Sequence, residues 1–325
     1  MDGYCNDRIY HKFNYPDSGP GDKNFLTGIR EKYGALYITG IYINSQSGRS
    51  YTYVYKGDLQ GNVGPYTQNK WYILEYPTNE DETVTNTLLY GPDIRKDGSI
   101  IAVGNYNTEE TGKRALGTVY EGKLNGKGIW TTLIPADDAI NTIAHSSMGD
   151  LVVGNYDTKH VQGMGFIYDM KKRRYYDIEK KGAKSITAYG IWKNTKHEYT
   201  ICGGYSPLLN DITFGYLVDW NNKTKRLSNW REYEYENNAI ITNFDGITTD
   251  GKCGYNITGD AMTNLESKPV AFFVNINPNK VKPLKWEQIK YPGSDSTSGN
   301  SIVEKIVIGV YTEDKTVNGY VSVVI

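Results

Sequence analysis

A strand ending in Gly-x-Tyr recurs along the chain at intervals of roughly fifty to sixty residues, and it narrows the choice of fold more than any other feature. It reads YITGIY at 37–42, IAVGNY at 101–106, LVVGNY at 151–156, ICGGY at 201–205 and VIGVY at 307–311. NITGDA at 256–261 holds the same place, with Asp260 and Ala261 in the last two positions. The anchoring glycines Gly40, Gly104, Gly154, Gly203, Gly259 and Gly309 mark six units. A period of this length belongs to architectures in which each repeat is one supersecondary unit and neighbouring repeats bury each other's apolar faces.

Each anchor is followed by a polar connection and a second strand: SYTYVYKGD (50–58), LGTVYEGKL (116–124), MGFIYDMKK (164–172), FGYLVDWNN (214–222), VAFFVNINP (270–278) and GYVSVVI (319–325). Turn-forming pairs such as Lys56-Gly57 and Glu121-Gly122 close most of them. A third strand rich in aromatics follows, as in WYILEYP (71–77) and WEQIKYP (286–292). A fourth precedes each anchor, as in FLTGI (25–29), TIAHS (142–146) and TNFDG (242–246). The 29 tyrosines suit strands and the 35 glycines supply turns, so the composition agrees with an all-β chain.

Four short antiparallel strands repeated radially make a β-propeller. The expectation is a six-bladed β-propeller of four-stranded blades. The last unit ends at Ile325 without its outer strand, and RIYHKFNYP at 8–16 resembles that missing strand. The N-terminal strand is therefore expected to complete the last blade and close the ring. No linker or shift of composition divides the chain, so residues 1–325 read as a single domain.

The strand Phe166-Ile167-Tyr168-Asp169, following Gly154, resembles the HAF-type extracellular repeats. That resemblance implies a propeller and export from the cytoplasm. No unit contains the His-Ala-Phe triplet itself; Gly117-Thr118, Gly165-Phe166 and Gly215-Tyr216 stand there instead, so no active residue is carried over.

Several classes are disfavoured. Lys and Arg number 36 against 37 Asp and Glu, and this balance offers no positive field for nucleic acid. The basic run 171–174 sits at an expected strand turn. No stretch approaches eighteen apolar residues, so no span of a membrane is expected. The start, MDGYCNDRIYHKF, lacks an apolar leader core. A secreted protein whose leader has been removed is the expected class, with a cytosolic one as the alternative. Cys5, Cys202 and Cys253 are too few and too widely spaced for a disulfide framework or a metal knuckle. Two Asn-x-Thr matches, at Asn222 and Asn256, are what chance supplies in a chain this rich in Asn and Thr. Signatures of nucleotide loops, nucleophile elbows and zinc helices are absent.

Function is sought where the units differ. The tyrosines of Gly-x-Tyr recur in five units and so read as packing between blades. The strand before each anchor is the innermost of a blade and faces the central channel. Alignment on Asn24, Asn86, Asn141, Ser185, Ile241 and Asn300 places Gly28, Tyr90, His145, Tyr189, Asp245 and Glu304 four positions on. Asp93, Arg30 and Lys305 lie close in sequence, and Asp260 is expected to face the same site as Asp245. Tyr90, Asp93, His145, Tyr189, Asn243, Asp245 and Glu304 are the candidate ligand-binding residues. Asp245, Glu304 and His145 are the candidate ligands of a divalent cation, Ca or Mg, and the candidate acid–base catalysts. Arg49, Arg114 and His160, in the connections after the anchors, are candidates for a rim.

Two functions follow. The first is a monomeric ligand-binding propeller that recognises a small molecule, glycan or peptide at the channel mouth. The second is a metal-dependent, lactonase-like hydrolase or lyase, whose channel metal polarises a carbonyl or activates water.

Overall fold

The computed structural model describes residues 8–58, 70–78, 82–236, 239–263, 268–280 and 283–324. Cys5, Ile325 and residues 264–267 of the connection TNLESK lie outside the described residues. Twenty-four strands and no α-helix occur among the described residues.

The strands run in quartets along the chain. After β1 (Arg8–Lys12) come β2 (Lys23–Lys32), β3 (Ala35–Ile43), β4 (Ser50–Gly57) and β5 (Trp71–Ile73). The next quartet is β6 (Val84–Ile94), β7 (Ile100–Thr108), β8 (Leu116–Gly122) and β9 (Gly128–Leu133). The third is β10 (Ala139–Met148), β11 (Leu151–Thr158), β12 (Met164–Asp169) and β13 (Arg174–Ile178). The fourth is β14 (Ala183–Lys193), β15 (Glu198–Pro207), β16 (Phe214–Asn221) and β17 (Arg226–Tyr233). Then follow β18 (Ala239–Thr249), β19 (Tyr255–Thr263), β20 (Val270–Ile276), β21 (Trp286–Ile289), β22 (Ser296–Val303), β23 (Ile306–Glu313) and β24 (Thr316–Val324).

The first four quartets are separate four-stranded antiparallel sheets. The expectation of six separate four-stranded blades is corrected by the rest of the chain. There the strands form one eight-stranded sheet, β1-β24-β23-β22-β20-β19-β18 with β21 also on β20. The joint is a parallel pairing of Val270 with Thr297. β21 covers β20 only from Ala271 to Val274, so Val270 lies outside that pairing and meets Thr297 instead. The architecture is β-propeller-like: four free-standing blades and one double sheet arranged around an axis.

The inner strands close that ring. β2 packs on β6, β6 on β10, β10 on β14, β14 on β18, β18 on β22 and β22 on β2. Apolar clusters fill the spaces between neighbouring sheets, for example Val153, Ile167, Ile186 and Ile201 between the third and fourth quartets. The N-terminal strand takes the outer position beside β24, with Arg8 opposite Val324 and Lys12 opposite Tyr320. Arg8 also forms an ion pair with Glu287 of β21. Phe13 continues the seam, fully buried against Tyr55 and Trp71.

The recurring tyrosines pack between sheets. Tyr106, Tyr156, Tyr205 and Tyr311 are buried, and Tyr106 and Tyr311 stack on Tyr76 and Tyr291 at 3.7 Å between ring centres. The anchoring glycines answer a different need. A Cβ on Gly104, Gly154, Gly203, Gly259 or Gly309 would meet the inner-strand carbonyl oxygen of Leu88, Ile143, Thr187, Asn243 or Ser298 at 1.8–2.1 Å. Each of those carbonyls lies just ahead of a register shift in its inner strand.

Candidate functional site: the channel cavity

Each inner strand slips register once near its middle: between Leu26 and Gly28, Leu89 and Pro92, Ala144 and Ser146, Ala188 and Gly190, Phe244 and Gly246, and Gly299 and Ser301. A β-bulge of this kind leaves an extra residue unpaired and re-aims its side chain. The residues so released are Thr27, Tyr90, His145, Tyr189, Asp245 and Asn300, and all six line one cavity of about 210 Å³. The residue after each bulge is glycine or serine: Gly28, Gly91, Ser146, Gly190, Gly246 and Ser301. Neighbouring inner strands touch there, since a Cβ on Gly91 would meet the Ser146 Cα at 2.9 Å and one on Gly246 the Ser301 Cα at 2.8 Å. Small residues at this level also leave the lumen unfilled, which is why a cavity exists.

The ring divides into two arcs. Tyr90, His145 and Tyr189 come from consecutive inner strands and pack against one another, the first pair tilted and the second edge to face, with ring centres 5.5 and 4.8 Å apart. Asp245, Asn300 and Thr27 complete the circle with polar groups. Thr27 Oγ1 donates to the Leu89 carbonyl at 2.8 Å. Asn300 Nδ2 donates to the Leu26 carbonyl at 2.7 Å, and its Oδ1 accepts from Ser298 Oγ at 2.7 Å.

Electrostatics follow from depth. Protein surrounds these side chains, and only their lumen-facing surface meets solvent. His145 shares a 2.9 Å hydrogen bond between Nε2 and Asn155 Oδ1, and burial pushes its pKa down to about 4, so the imidazole is neutral at physiological pH. Burial pushes the Tyr90 phenol up to about 12. Tyr189 is raised by burial and by the charges of Asp245 and Asp260. Asp245 is held well above the usual carboxylate range, first by burial and then by Asp260. Asp260 is raised as well by burial, although the Gly299 N–H donates to its Oδ1 at 2.9 Å. Two carboxyls in one desolvated place do not both ionise readily, so the pair retains a proton into the neutral range.

One layer further along stands Arg30. Its Nη2 donates to the Ile191 carbonyl at 3.1 Å and to Ser146 Oγ at 3.5 Å, and the guanidinium lies 5.6 Å from the Trp192 ring centre. Since β2 and β14 face each other across the ring, this side chain crosses the channel and floors the cavity. Its Nε is buried without a partner.

The structure brings some of the candidate residues together and sets others apart. Tyr90, His145, Tyr189 and Asp245 share one cavity. Asn243 lies one layer nearer the start of the inner strands, its Oδ1 over Gly204, where a Cβ would approach to 2.1 Å. Asp93 lies beyond the ring, its Oδ2 accepting from Gly149 N–H at 2.6 Å. Glu304 sits in the tight turn after β22, exposed and with φ of 51°, and Asn300 takes the ring position of that strand. Thr27, not Gly28, takes it in β2. The small residue after every bulge is the signal that sets this register.

The metal expectation is corrected. Among the described residues no group of three His, Cys, Asp or Glu is placed to hold a metal ion. Glu304 is outside the cavity, and the nearest partner of His145 is an amide. The rim candidates fare differently again. Arg49 pairs with Glu75 at 3.2 Å in solvent, and Arg114 and His160 are exposed. Their connections join the second and third strands of a quartet, at the end where inner strands begin and opposite the turn that holds Glu304. No helix is long and apolar enough to cross a membrane among the described residues.

No protein-family model matches the chain, and no curated protein matches it. The likeness to HAF-type repeats thus finds no matching family. Solved structures resemble it in fold. The α-L-arabinofuranosidase of Fusarium graminearum, solved with an iminosugar inhibitor, superposes with a TM-score of 0.51 at 11% identity, covering 97% of this chain and 96% of that one. The β-propeller domain of the trilobed protease from Pyrococcus furiosus gives 0.42 at 10% identity, covering 92% and 81%. Levansucrase from Bacillus subtilis gives 0.42 at 9% identity, covering 94% and 93%. At these identities the likeness speaks for fold alone: the chain is built like a β-propeller, and its function has to be argued from the channel.

Proposed function

We propose that this protein binds one small polar molecule inside the channel, between the bulge ring and Arg30. The observation that carries this reading is the division of the ring into an aromatic arc and a polar arc around one cavity. A flat molecule with an apolar face and polar edges satisfies both halves at once, and aromatic rings supply contact area at little entropic cost. The volume of about 210 Å³ is below the ~300–1,000 Å³ of sites for larger ligands, so a single sugar or amino acid fits better than a chain of either.

Titration calorimetry with a panel of monosaccharides, amino acids and small hydroxy acids tests this. At least one compound should bind saturably, and Tyr189→Ala should weaken it at least tenfold. Arg49→Ala, on the exposed connection, should leave the affinity unchanged. Binding that survives Tyr189→Ala at full affinity rules out the channel as the site.

A further inference from the structure

We propose that the channel ligand is a zwitterion of the amino-acid class, its carboxylate on Arg30 and its ammonium on Asp245 and Asp260. This deepens the channel reading and rests on it.

The first support is Arg30. Its residue is 7% exposed, it lines the cavity, and its Nε has no partner. No carboxylate lies within ion-pair distance of it among the described residues. A buried cation left without a paired anion is costly, and a guanidinium offers a planar fork matched to a carboxylate. Asp93 is the acid whose charge reaches it, but the Asp93 oxygens are taken by backbone N–H groups of Gly149 and Ile94 at 2.6 and 2.9 Å. A ligand carboxylate supplies the direct partner that the fold withholds.

The second support is the carboxyl pair at the cavity. The Asp245 carboxyl lines the same cavity; it accepts a hydrogen bond from the Asp260 backbone N–H, and no side chain pairs with it among the described residues. Asp260 stands behind it on β19, one oxygen held by the Gly299 N–H. The groups facing this pair are Tyr189, Cys202 and, towards Asp260, Tyr320, none of them a cation. Within the cavity, Arg30 is the only other charged residue that lines the described site. An ammonium placed at Asp245 brings the missing positive charge and lets the pair ionise.

The third support is the aromatic arc of the same cavity. Tyr90, His145 and Tyr189 line the cavity with aromatic rings, whose faces attract an ammonium, and the uncharged His145 does not repel one. A zwitterion enters with no net charge, so it meets both poles without leaving an excess charge inside the protein.

The test uses skeleton-matched sets of compounds with three to six carbons: an α-amino acid, its α-hydroxy acid and its amine. Calorimetry on the full chain at pH 6 and pH 8 is the readout. The amino acid should bind at least tenfold tighter than either analogue and more tightly at pH 8 than at pH 6, because burial raises both carboxyls and a higher pH favours the ionised form that an ammonium pairs with. Arg30→Gln and Asp245→Asn should each cost at least tenfold, and Arg30→Lys should fall between Arg30→Gln and the parent. If Arg30→Gln does not fold, the near-isosteric Asp245→Asn and the pH comparison carry the test. A hydroxy acid that binds as tightly as its amino acid, or binding that strengthens at pH 6, overturns the inference. A neutral monosaccharide that binds in a Tyr189-dependent way while no amino acid does overturns the zwitterion and leaves the channel reading intact. No Tyr189-dependent binding by any compound overturns both.

Discussion

Replacing Gly203 by alanine probes the link between the repeated glycines and the bulges that shape the channel. A Cβ at this position would lie 1.8 Å from the Thr187 carbonyl oxygen, 2.9 Å from its carbon and 3.0 Å from Tyr216 Cε1. Ordinary contact needs well over 3 Å, so β14 and β15 would have to separate by more than 1 Å. The carbonyl is main chain and cannot rotate away without loss of sheet hydrogen bonds, and Tyr216 is fully buried and stacked on Trp230 at 4.4 Å. Overpacking costs about 1–3 kcal/mol, and one weakened ladder bond adds about 1 kcal/mol. The expected loss is therefore about 3 kcal/mol or more. With an unfolding entropy of about 2.1 cal/mol/K per residue, that lowers Tm by roughly 4–5 °C in a two-state transition of this chain. The internal control is the next residue. A Cβ on Gly204 would lie 2.1 Å from Asn243 Oδ1, the far end of a side chain that can turn into the lumen. Gly204→Ala should cost under about 1 kcal/mol, within the ordinary range of a substitution with room to relax. Urea unfolding monitored by tryptophan fluorescence measures both. Equal stabilities for the two variants would refute the claim that the anchoring glycines are dictated by the bulge carbonyls.

Further outcomes are expected at the seam and in the channel. Phe13→Ala should destabilise by about 3–5 kcal/mol, the usual cost of truncating a buried Phe, and deletion of residues 1–16 should lower Tm further, because β1 is lost as well; an unchanged melting curve would contradict the observed pairing with β24. His145 has a folded pKa near 4, below its value of about 6.5 in the unfolded chain. The unfolded state thus binds more protons between these values, and stability falls as pH drops from about 6.5 towards 4. His145→Asn should remove that slope in melts collected between pH 7.5 and 4.5. Asp245 has the opposite sign: its raised pKa makes stability fall as pH rises above the unfolded value of about 3.9, through the range where the carboxyl pair loses its proton. Asp245→Asn should therefore raise Tm relative to the parent, and more at pH 8 than at pH 5.

Much of this was legible in the residues because local pattern and turn chemistry repeat. The strand quartets, the inner position of the strand before each anchor and the N-terminal strand beside β24 all follow from the period of Gly-x-Tyr. Tyr90, His145, Tyr189 and Asp245 were found because they break that period at an inner position. The errors at the ring share one cause, register. A bulge inserts a residue without any mark in the strand's alternation, so counting from an upstream residue placed Gly28 and Glu304 where Thr27 and Asn300 stand.

What the sequence determined by itself is the all-β class, the repeat and the channel-facing strands, because these depend on near-neighbour preferences that each unit states anew. Tertiary structure decided the rest. It merged the last two quartets through the pairing of Val270 with Thr297. It sent Arg30 across the channel to Ile191 and brought Asp260 behind Asp245. It kept His145, Asp245 and Glu304 from forming a metal site, because Glu304 lies in a turn beyond the cavity. Such contacts join residues far apart in the chain, and only closure of the ring fixes their distances and their shared burial.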